Sequence, residues 1–151
     1  MKKKRVKRTD TKAYQAKQFR RLSNKAMNLW KQVVHKQWGD KCQACGVNNG
    51  SLVNGKPVRL NCHHIEDKGN WALRFDPKNG ILLCPLHHKF GIDSVHKSPV
   101  WFFMHPRAQP DAHTLFHIHQ CREGVLPQRR AAWTVELLSD TIKDLEKCLK
   151  H

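Results

Sequence analysis

The stretch 79–88, with the sequence NGILLCPLHH, contains the pattern that decides the fold. A short apolar run leads to Cys84, and Pro85 suits the first turn of a helix, so a strand followed by a helix is predicted. Cys84 and His87 form a Cys-x-x-His pair, and His88 follows directly. Because consecutive residues on a helix point about 100° apart, His87 and His88 are expected to face two different sites.

A second pair with the same spacing, Cys42 and Cys45, precedes this stretch. Two such pairs favour a metal site over disulfides when no export signal is present. Three thiolates and one imidazole are a normal tetrahedral set for Zn²⁺, and four protein ligands leave no position for substrate. The sequence therefore predicts a structural zinc held by Cys42, Cys45, Cys84 and His87.

The remaining cysteines, Cys62, Cys121 and Cys148, are expected to stay as thiols. Cys62 is predicted at a strand position that faces the core. His117, His119 and Cys121 alternate, so a strand could present all three to a further metal ion. A partly exposed strand without metal is the favoured alternative.

The charge of the chain indicates its partner. The 151 residues include 28 Lys and Arg against 12 Asp and Glu, a net charge of +16. The commonest polyanion that could neutralise such an excess inside a cell is nucleic acid. No apolar run is long enough to cross a membrane, and the basic N-terminus lacks the apolar core of a secretion signal. We therefore expect a cytoplasmic, non-secreted protein that binds nucleic acid and no membrane.

The predicted organisation is a basic arm, residues 1–10, followed by one domain, residues 11–151, with its core at about 40–98. Apolar residues recur at helical spacing over 11–38, which predicts one long amphipathic helix that ends at Gly39-Asp40. Its polar face is basic. The first candidates for contact with phosphates lie in the arm and on this face: Lys2, Lys3, Lys4, Arg5, Arg20 and Arg21.

The other elements complete an α+β prediction. The turn signal Asn54-Gly55 favours a hairpin over 53–65, and a polar loop follows at 66–70. Residues 99–127 are expected to be irregular. Apolar positions that step by three or four predict a last helix from about Gln128. The expected architecture is a small strand-turn-strand-helix centre between two outer helices.

The segments CHHIE at 62–66 and NGILLCPLHH at 79–88 resemble the HNH nuclease family. The match covers about 42–91, a third of the chain. Within that family it looks closest to phage recombination nucleases of the NinG (Rap) type, which share a stretch like ALRFDPKN at 72–79. The resemblance implies a ββα-metal (HNH) core with a zinc-ribbon-like staple. It further implies a phage-encoded DNA endonuclease whose products carry 5′-phosphate and 3′-hydroxyl ends.

The chemistry of phosphodiester hydrolysis suggests a role for each residue in this pattern. Neutral His64 suits the removal of a proton from water. His63 and His88 are expected to hold the catalytic divalent ion. Asn79 is expected to fix the loop that carries His64, and Lys89 is a further candidate for DNA contact. Consecutive strand residues face opposite ways, so His63 and His64 can both contribute only if the strand ends or bulges there.

His63 is a departure from the resemblance, because many HNH relatives carry Asp or Gly at that position. Two imidazole ligands make a softer, less negative site than Asp with Asn. We therefore predict better activity with Mn²⁺, Ni²⁺ or Co²⁺ than with Mg²⁺. Asp93 and His96 lie downstream and are expected to be surface residues, with contact to the metal or phosphate as the alternative.

A different class of function also agrees with the charge and the zinc ligands. The alternative is a non-enzymatic zinc-ribbon protein that binds nucleic acid, which has no need of His63, His64, Asn79 and His88. Among nuclease functions, the sequence leaves open recombination, packaging and other DNA processing, on substrates that include branched or nicked DNA. Nicking and double-strand cutting, and a monomer and a homodimer, are also open alternatives.

Overall fold

The computed structural model describes residues 11–98, 100–101, 105–123 and 129–150 and shows a mixed α+β protein with two small antiparallel sheets. The predicted basic arm, with Lys2, Lys3, Lys4 and Arg5, lies outside the described residues. The helices and strands are α1 (Lys12–Gln37), β1 (Leu52–Val53), β2 (Lys56–Pro57), β3 (Asn61–His64), β4 (Gly80–Leu83), α2 (Ala112–Glu123) and α3 (Val135–Lys150). Short helical turns lie at Pro77–Asn79 (3₁₀), Leu86–Phe90 (π) and Arg130–Ala132 (3₁₀).

Helix α1 confirms the predicted long amphipathic helix. Thr11 caps its N-terminus by accepting a hydrogen bond from the Tyr14 backbone N–H, as short hydroxyl side chains commonly do at this position. The helix ends at Trp38, and Gly39 adopts a left-handed φ of 59° there. One face is buried, and its residues are Phe19, Ala26, Trp30, Val33 and Val34.

The strands pair differently from the predicted hairpin over 53–65. The Asn54-Gly55 turn does join two strands, but each has only two residues. Strand β3 pairs instead with β4, antiparallel, with His63 opposite Ile81 and His64 opposite Gly80. The apolar β4 is buried along its whole length, whereas its partner β3 in this two-stranded sheet is partly exposed.

Strand β4 lies directly against α1, and a glycine permits this approach. A Cβ on Gly80 would lie 2.3 Å from Val34 Cγ2 and 3.0 Å from the Trp30 ring. The Trp38 indole donates a hydrogen bond to the Gly80 carbonyl at 2.8 Å. Helix α1 is thereby held against the β3–β4 ladder that carries His63 and His64.

The C-terminal part of the chain differs from the prediction in two places. Residues 99–127 were expected to be irregular, but α2 lies within them. The sequence does not predict this helix, because its flanks are turn-prone and its apolar residues form no continuous face. The last helix starts at Val135 rather than near Gln128, since Thr134 caps it after a 3₁₀ turn.

Helix α3 packs along α1 and covers the core. The predicted architecture likewise has an outer helix at each end of the domain. Its buried residues are Leu138, Ile142 and Leu145. Lys25 pairs with Glu146 at 2.7 Å, and Lys36 donates to carbonyls of the last turn of α3. No helix among the described residues is long and apolar enough to cross a membrane.

Candidate functional site

Two segments bring Cys42, Cys45, Cys84 and His87 together, as the spacing of the two pairs predicts. Their donor atoms all lie within 4.8 Å of one another. The Sγ atoms of Cys45 and Cys84 are 3.9 Å apart, and His87 Nδ1 lies 3.8 Å from Cys42 Sγ. Zn–S bonds of about 2.3 Å at tetrahedral angles give sulfur–sulfur separations of about 3.8 Å. The cluster can therefore hold a zinc-like metal with little rearrangement.

The pKa values of the three cysteines in this cluster are also compatible with binding of a metal cation. Cys84 shares a hydrogen bond with Cys42 that lowers the pKa of Cys42 to about 4 and raises the pKa of Cys84. Burial is the largest cause that raises the pKa of Cys45. One thiolate is thus stable by itself, and the other two thiols need a cation to lose their protons at neutral pH.

A second cluster consists of three imidazoles: His63, His88 and His96. The Nε2 atoms of His88 and His96 are 3.3 Å apart, and the His63 ring lies 5.4 Å from the His88 ring and 5.0 Å from the His96 ring between centroids. Two nitrogens bound to one ion at about 2.1 Å lie about 3.4 Å apart at a tetrahedral angle. The arrangement therefore fits one divalent transition-metal ion.

The surroundings of His63 and His88 keep these two imidazoles neutral, which is the form that binds a metal. Burial, followed by the nearby His88 and His96, lowers the pKa of His63 to about 3. Burial, His96 and Lys89 lower the pKa of His88. Both side chains consequently offer lone pairs at neutral pH.

The adjacent His64 faces the other side of strand β3. Its ring stacks on Trp30 of α1, with centroids 4.1 Å apart and planes 8° from parallel. Its Nε2 lies 2.9 Å from the Arg74 carbonyl. A carbonyl can only accept, so Nε2 carries the hydrogen and Nδ1 is left with a free lone pair. Burial lowers the pKa of His64, and this effect outweighs that of the hydrogen bond to the Arg74 carbonyl, which raises the pKa. The ring is therefore neutral at pH 7.

His63 and His64 both line one cleft of about 290 Å³, together with Asp67, Lys68, His88 and His96. Consecutive residues within a strand face opposite ways, but His64 is the last residue of β3, so both histidines can reach the same cleft. The chain then turns away into the loop at 65–70. One side of the cleft thus carries the three-imidazole cluster, and the other carries an oriented, neutral histidine.

Asn79 holds the loop after His64, in the position the sequence predicts for it. Its side chain is fully buried. Its Oδ1 accepts from the Glu66 N–H at 2.7 Å, and its Nδ2 donates to the carbonyls of Glu66 and Leu73 at 3.1 Å each. The amide therefore satisfies three backbone groups on both sides of the loop and determines where β3 ends.

We expect Asn79→Ala to lower the free energy of unfolding by about 2–4 kcal/mol, because it leaves buried backbone groups without partners. Denaturant unfolding followed by circular dichroism measures this loss. Asn61→Ala, which changes an exposed amide on the same strand ladder, is the matched control and should cost well under that amount. Equal stability of the two variants would contradict the role assigned to Asn79.

Other candidates lie at various distances from the cleft. Lys89 is exposed on the π-helical turn that carries His88, and Arg20 and Arg21 are exposed on α1. Asp93 was expected at the surface with metal contact as an alternative; its side chain is 42% exposed and pairs with His105 at 3.2 Å. Cys62 is half-buried against α1, where burial raises its pKa to about 11, so it stays a thiol.

His96 was expected at the surface, with contact to the metal only as the alternative; it is exposed and also joins His63 and His88 in the imidazole cluster. The sequence indicated this contact only weakly, because eight residues and a non-helical turn separate His96 from His88. The prediction that His117, His119 and Cys121 lie on a strand is wrong, since all three lie on α2. Only His117 and Cys121 converge, at 3.7 Å, and their third neighbour is Asp76.

A basic cleft, which the linear sequence does not reveal as a unit, lies along the N-terminal half of α1. Arg74 lies over the Trp71 ring at 4.7 Å, and Arg130 lies over the Phe19 ring at 4.6 Å. Stacking on these rings holds both guanidinium groups in place. The cations that line the cleft are Lys17, Arg20, Arg74 and Arg130.

Comparison with protein-family models, with curated proteins and with solved structures finds no match for this chain. The function is therefore inferred from the geometry of the site.

Proposed function

We propose that this protein is a metal-dependent DNA endonuclease of the HNH class that hydrolyses phosphodiester bonds to 5′-phosphate and 3′-hydroxyl ends. One observation carries the proposal. A neutral histidine with a defined tautomer, His64, shares a cleft with a cluster of three imidazoles, those of His63, His88 and His96. A protein that only binds nucleic acid has no use for this combination of an oriented proton acceptor and an open metal cluster.

The three imidazoles are assigned to the catalytic ion. His63, His88 and His96 would hold a divalent cation, which would neutralise charge on the phosphate and on the leaving oxygen when bound. Three protein ligands leave coordination positions for phosphate or water, unlike the four-ligand Cys₃His cluster. That closed cluster is assigned to a structural Zn²⁺.

His64 is assigned the role of general base. Its Nε2–H donates a hydrogen bond to the Arg74 carbonyl, so the ring can take up a proton only at Nδ1. Stacking on Trp30 favours this orientation of the ring. The lowered pKa keeps Nδ1 free of protons at neutral pH, so the ring is ready to accept one from an attacking water.

The basic cleft is the proposed DNA-binding surface. The backbone of Arg74 holds His64, and its guanidinium lies in the basic cleft, so this residue connects the two. Guanidinium groups suit contact with phosphates, and that of Arg130 lies over the Phe19 ring while that of Arg74 also donates to the Lys68 carbonyl at 2.8 Å. With Arg20 in the same cleft and a net charge of +16, the protein is suited to bind DNA through its backbone.

Plasmid nicking tests the proposal. Protein reconstituted with Zn²⁺ should convert supercoiled plasmid to nicked or linear forms when Mn²⁺ or Mg²⁺ is added, and the reaction should stop in EDTA. A panel of linear, nicked, branched and junction DNA would then separate recombination from packaging or general processing. DNA binding without cleavage, under every metal tried, would favour the alternative, a zinc-ribbon binding protein.

We expect cleavage to be faster with Mn²⁺, Co²⁺ or Ni²⁺ than with Mg²⁺, because imidazole ligands suit the transition metals better than Mg²⁺. His96→Ala, which removes one imidazole, should raise the Mn²⁺ concentration for half-maximal cleavage by about tenfold or more. Excess Mn²⁺ should restore part of the rate. A Mg²⁺ preference, or an unchanged Mn²⁺ requirement in His96→Ala, would contradict the three-imidazole assignment.

A further inference from the structure

A third cluster of donor atoms joins helix α2 to the core and is separate from the two sites described above. It consists of Asp76, His117 and Cys121, whose donor atoms all lie within 4.8 Å of one another. His117 Nε2 is 2.6 Å from Asp76 Oδ2 and 3.7 Å from Cys121 Sγ. All three residues are half-buried. The cluster thus contains one oxygen, one nitrogen and one sulfur donor.

The backbone orients each donor. His117 and Cys121 are four residues apart on α2, so their side chains lie on the same face one turn apart. Asp76 caps the 3₁₀ turn at Pro77–Asn79, and its Oδ1 accepts from the Lys78 N–H at 2.9 Å. This bond directs the other carboxylate oxygen, Oδ2, toward α2. The three donors therefore come from two helical elements, α2 and the residue that caps the Pro77–Asn79 turn.

Among the residues that the structure describes, helix α2 has few other buried contacts with the core. Among its described side chains only Ile118 is buried, while Leu115 and Phe116 are 48% and 59% exposed. Burial of one isoleucine contributes only about 1.5–3 kcal/mol, which is small against the cost of ordering a helix. Its contact with the Pro77–Asn79 turn therefore needs a further source of stability, and the polar cluster lies at that contact.

We propose that Asp76, His117 and Cys121 bind a Zn²⁺ ion that fastens α2 to the turn preceding Asn79. Carboxylate, imidazole and thiolate are all ligands that Zn²⁺ accepts, and the thiolate disfavours Mg²⁺ and Ca²⁺. Zinc would take the place of the hydrogen between Asp76 and His117, with the imidazole keeping one hydrogen on Nδ1, and would displace the proton of the Cys121 thiol to solvent. Three protein ligands leave the fourth tetrahedral position to water. This site does not depend on the proposed nuclease function.

The location gives this ion a positioning role. The Asp76 carbonyl accepts from the Trp30 indole at 2.8 Å, and Trp30 in turn stacks on His64. The same turn ends at Asn79, which fixes the loop after His64. A cation on Asp76 would therefore stabilise the turn at Pro77–Asn79. Through Trp30 and Asn79, this turn fixes the position of His64 and of the loop that follows it.

Zinc content tests the proposal. Full-length protein is purified in Zn²⁺, freed of excess metal by gel filtration, and analysed by mass spectrometry of the metal. We expect His117→Ala and Cys121→Ser each to carry one zinc fewer per chain than the wild type. His113→Ala, an exposed histidine on the same helix, is the matched control and should keep the wild-type content.

Cobalt spectra separate loss of this ion from loss of the Cys₃His cluster. When Co²⁺ replaces Zn²⁺, Cys121→Ser should lose the thiolate-to-cobalt absorption of one bond and retain that of Cys42, Cys45 and Cys84. Hydrogen exchange of the α2 amides should become about tenfold faster in the same variant. Wild-type zinc content in both His117→Ala and Cys121→Ser, or a loss confined to one of them, would overturn the three-ligand site.

Discussion

Cys84→Ser is expected to destabilise the protein strongly. Cys84 is a buried residue at the end of β4 and donates a sulfur to the Cys₃His cluster. Structural zinc in small domains contributes about 10–16 kcal/mol, which is comparable with the whole stability of an ordinary domain. Loss of one ligand should cost at least about 4 kcal/mol of this. The melting temperature should then fall by about 10 °C or more.

Thermal unfolding followed by circular dichroism, together with zinc content, measures the effect of Cys84→Ser. Cys148→Ser is the matched control, because Cys148 is exposed on α3 and outside all three clusters. It should melt like the wild type and keep its zinc. Chelation of the wild type should reproduce the Cys84→Ser result. A Cys84→Ser protein with unchanged zinc content and melting temperature would show that the cluster is no structural metal site.

Loss of His64 is expected to abolish cleavage and leave the protein folded. A positioned general base contributes about 10²- to 10⁴-fold to a hydrolytic rate. His64→Ala should therefore lower the nicking rate by that factor, while zinc content and DNA affinity stay as in the wild type. The substitution also removes the ring that stacks on Trp30, so a packing defect must be separated from the loss of the base.

His64→Phe makes this separation, because phenylalanine can keep the stack on Trp30 but has no nitrogen to accept a proton. We expect the alanine and phenylalanine variants to be equally inactive, although the second should be the more stable. His113→Ala, a histidine exposed on α2, should cleave at the wild-type rate. Nicking at the wild-type rate by folded His64→Phe would remove His64 from the mechanism and weaken the nuclease proposal.

The patterns that the sequence predicted well are those with local physical causes. Helix α1 has 26 residues of uninterrupted periodicity and a threonine cap, so both of its ends were predictable within a residue or so. The pairs Cys42/Cys45 and Cys84/His87 converge because each pair lies within one tight turn. The role of Asn79 in fixing the loop after His64 was expected from its place in the HNH-like pattern, and the structure shows the hydrogen bonds that its amide makes there.

Features that depend on distant contacts were not predictable. Helix α2 lacks an apolar stripe, so its sequence suggested an irregular segment and placed His117 and Cys121 on a strand. His96 joins His63 and His88 only because the π-helical turn ends at Gly91 and the chain folds back, with the Val95 N–H bonded to the His87 carbonyl. The basic cleft combines α1 with Arg74 and Arg130, which are far away in the chain.

The sequence by itself determined the α+β class, the long first helix, the basic charge and the four donors of the Cys₃His cluster, because periodicity, composition and ligand spacing are properties of neighbouring residues. Only the tertiary structure decided the direction of each histidine. The end of β3 at His64, set by the buried amide of Asn79, places neighbouring imidazoles on two sides of one cleft. Packing of α1 against β4 then fixes the tautomer and orientation of His64 through Trp30 and the Arg74 carbonyl.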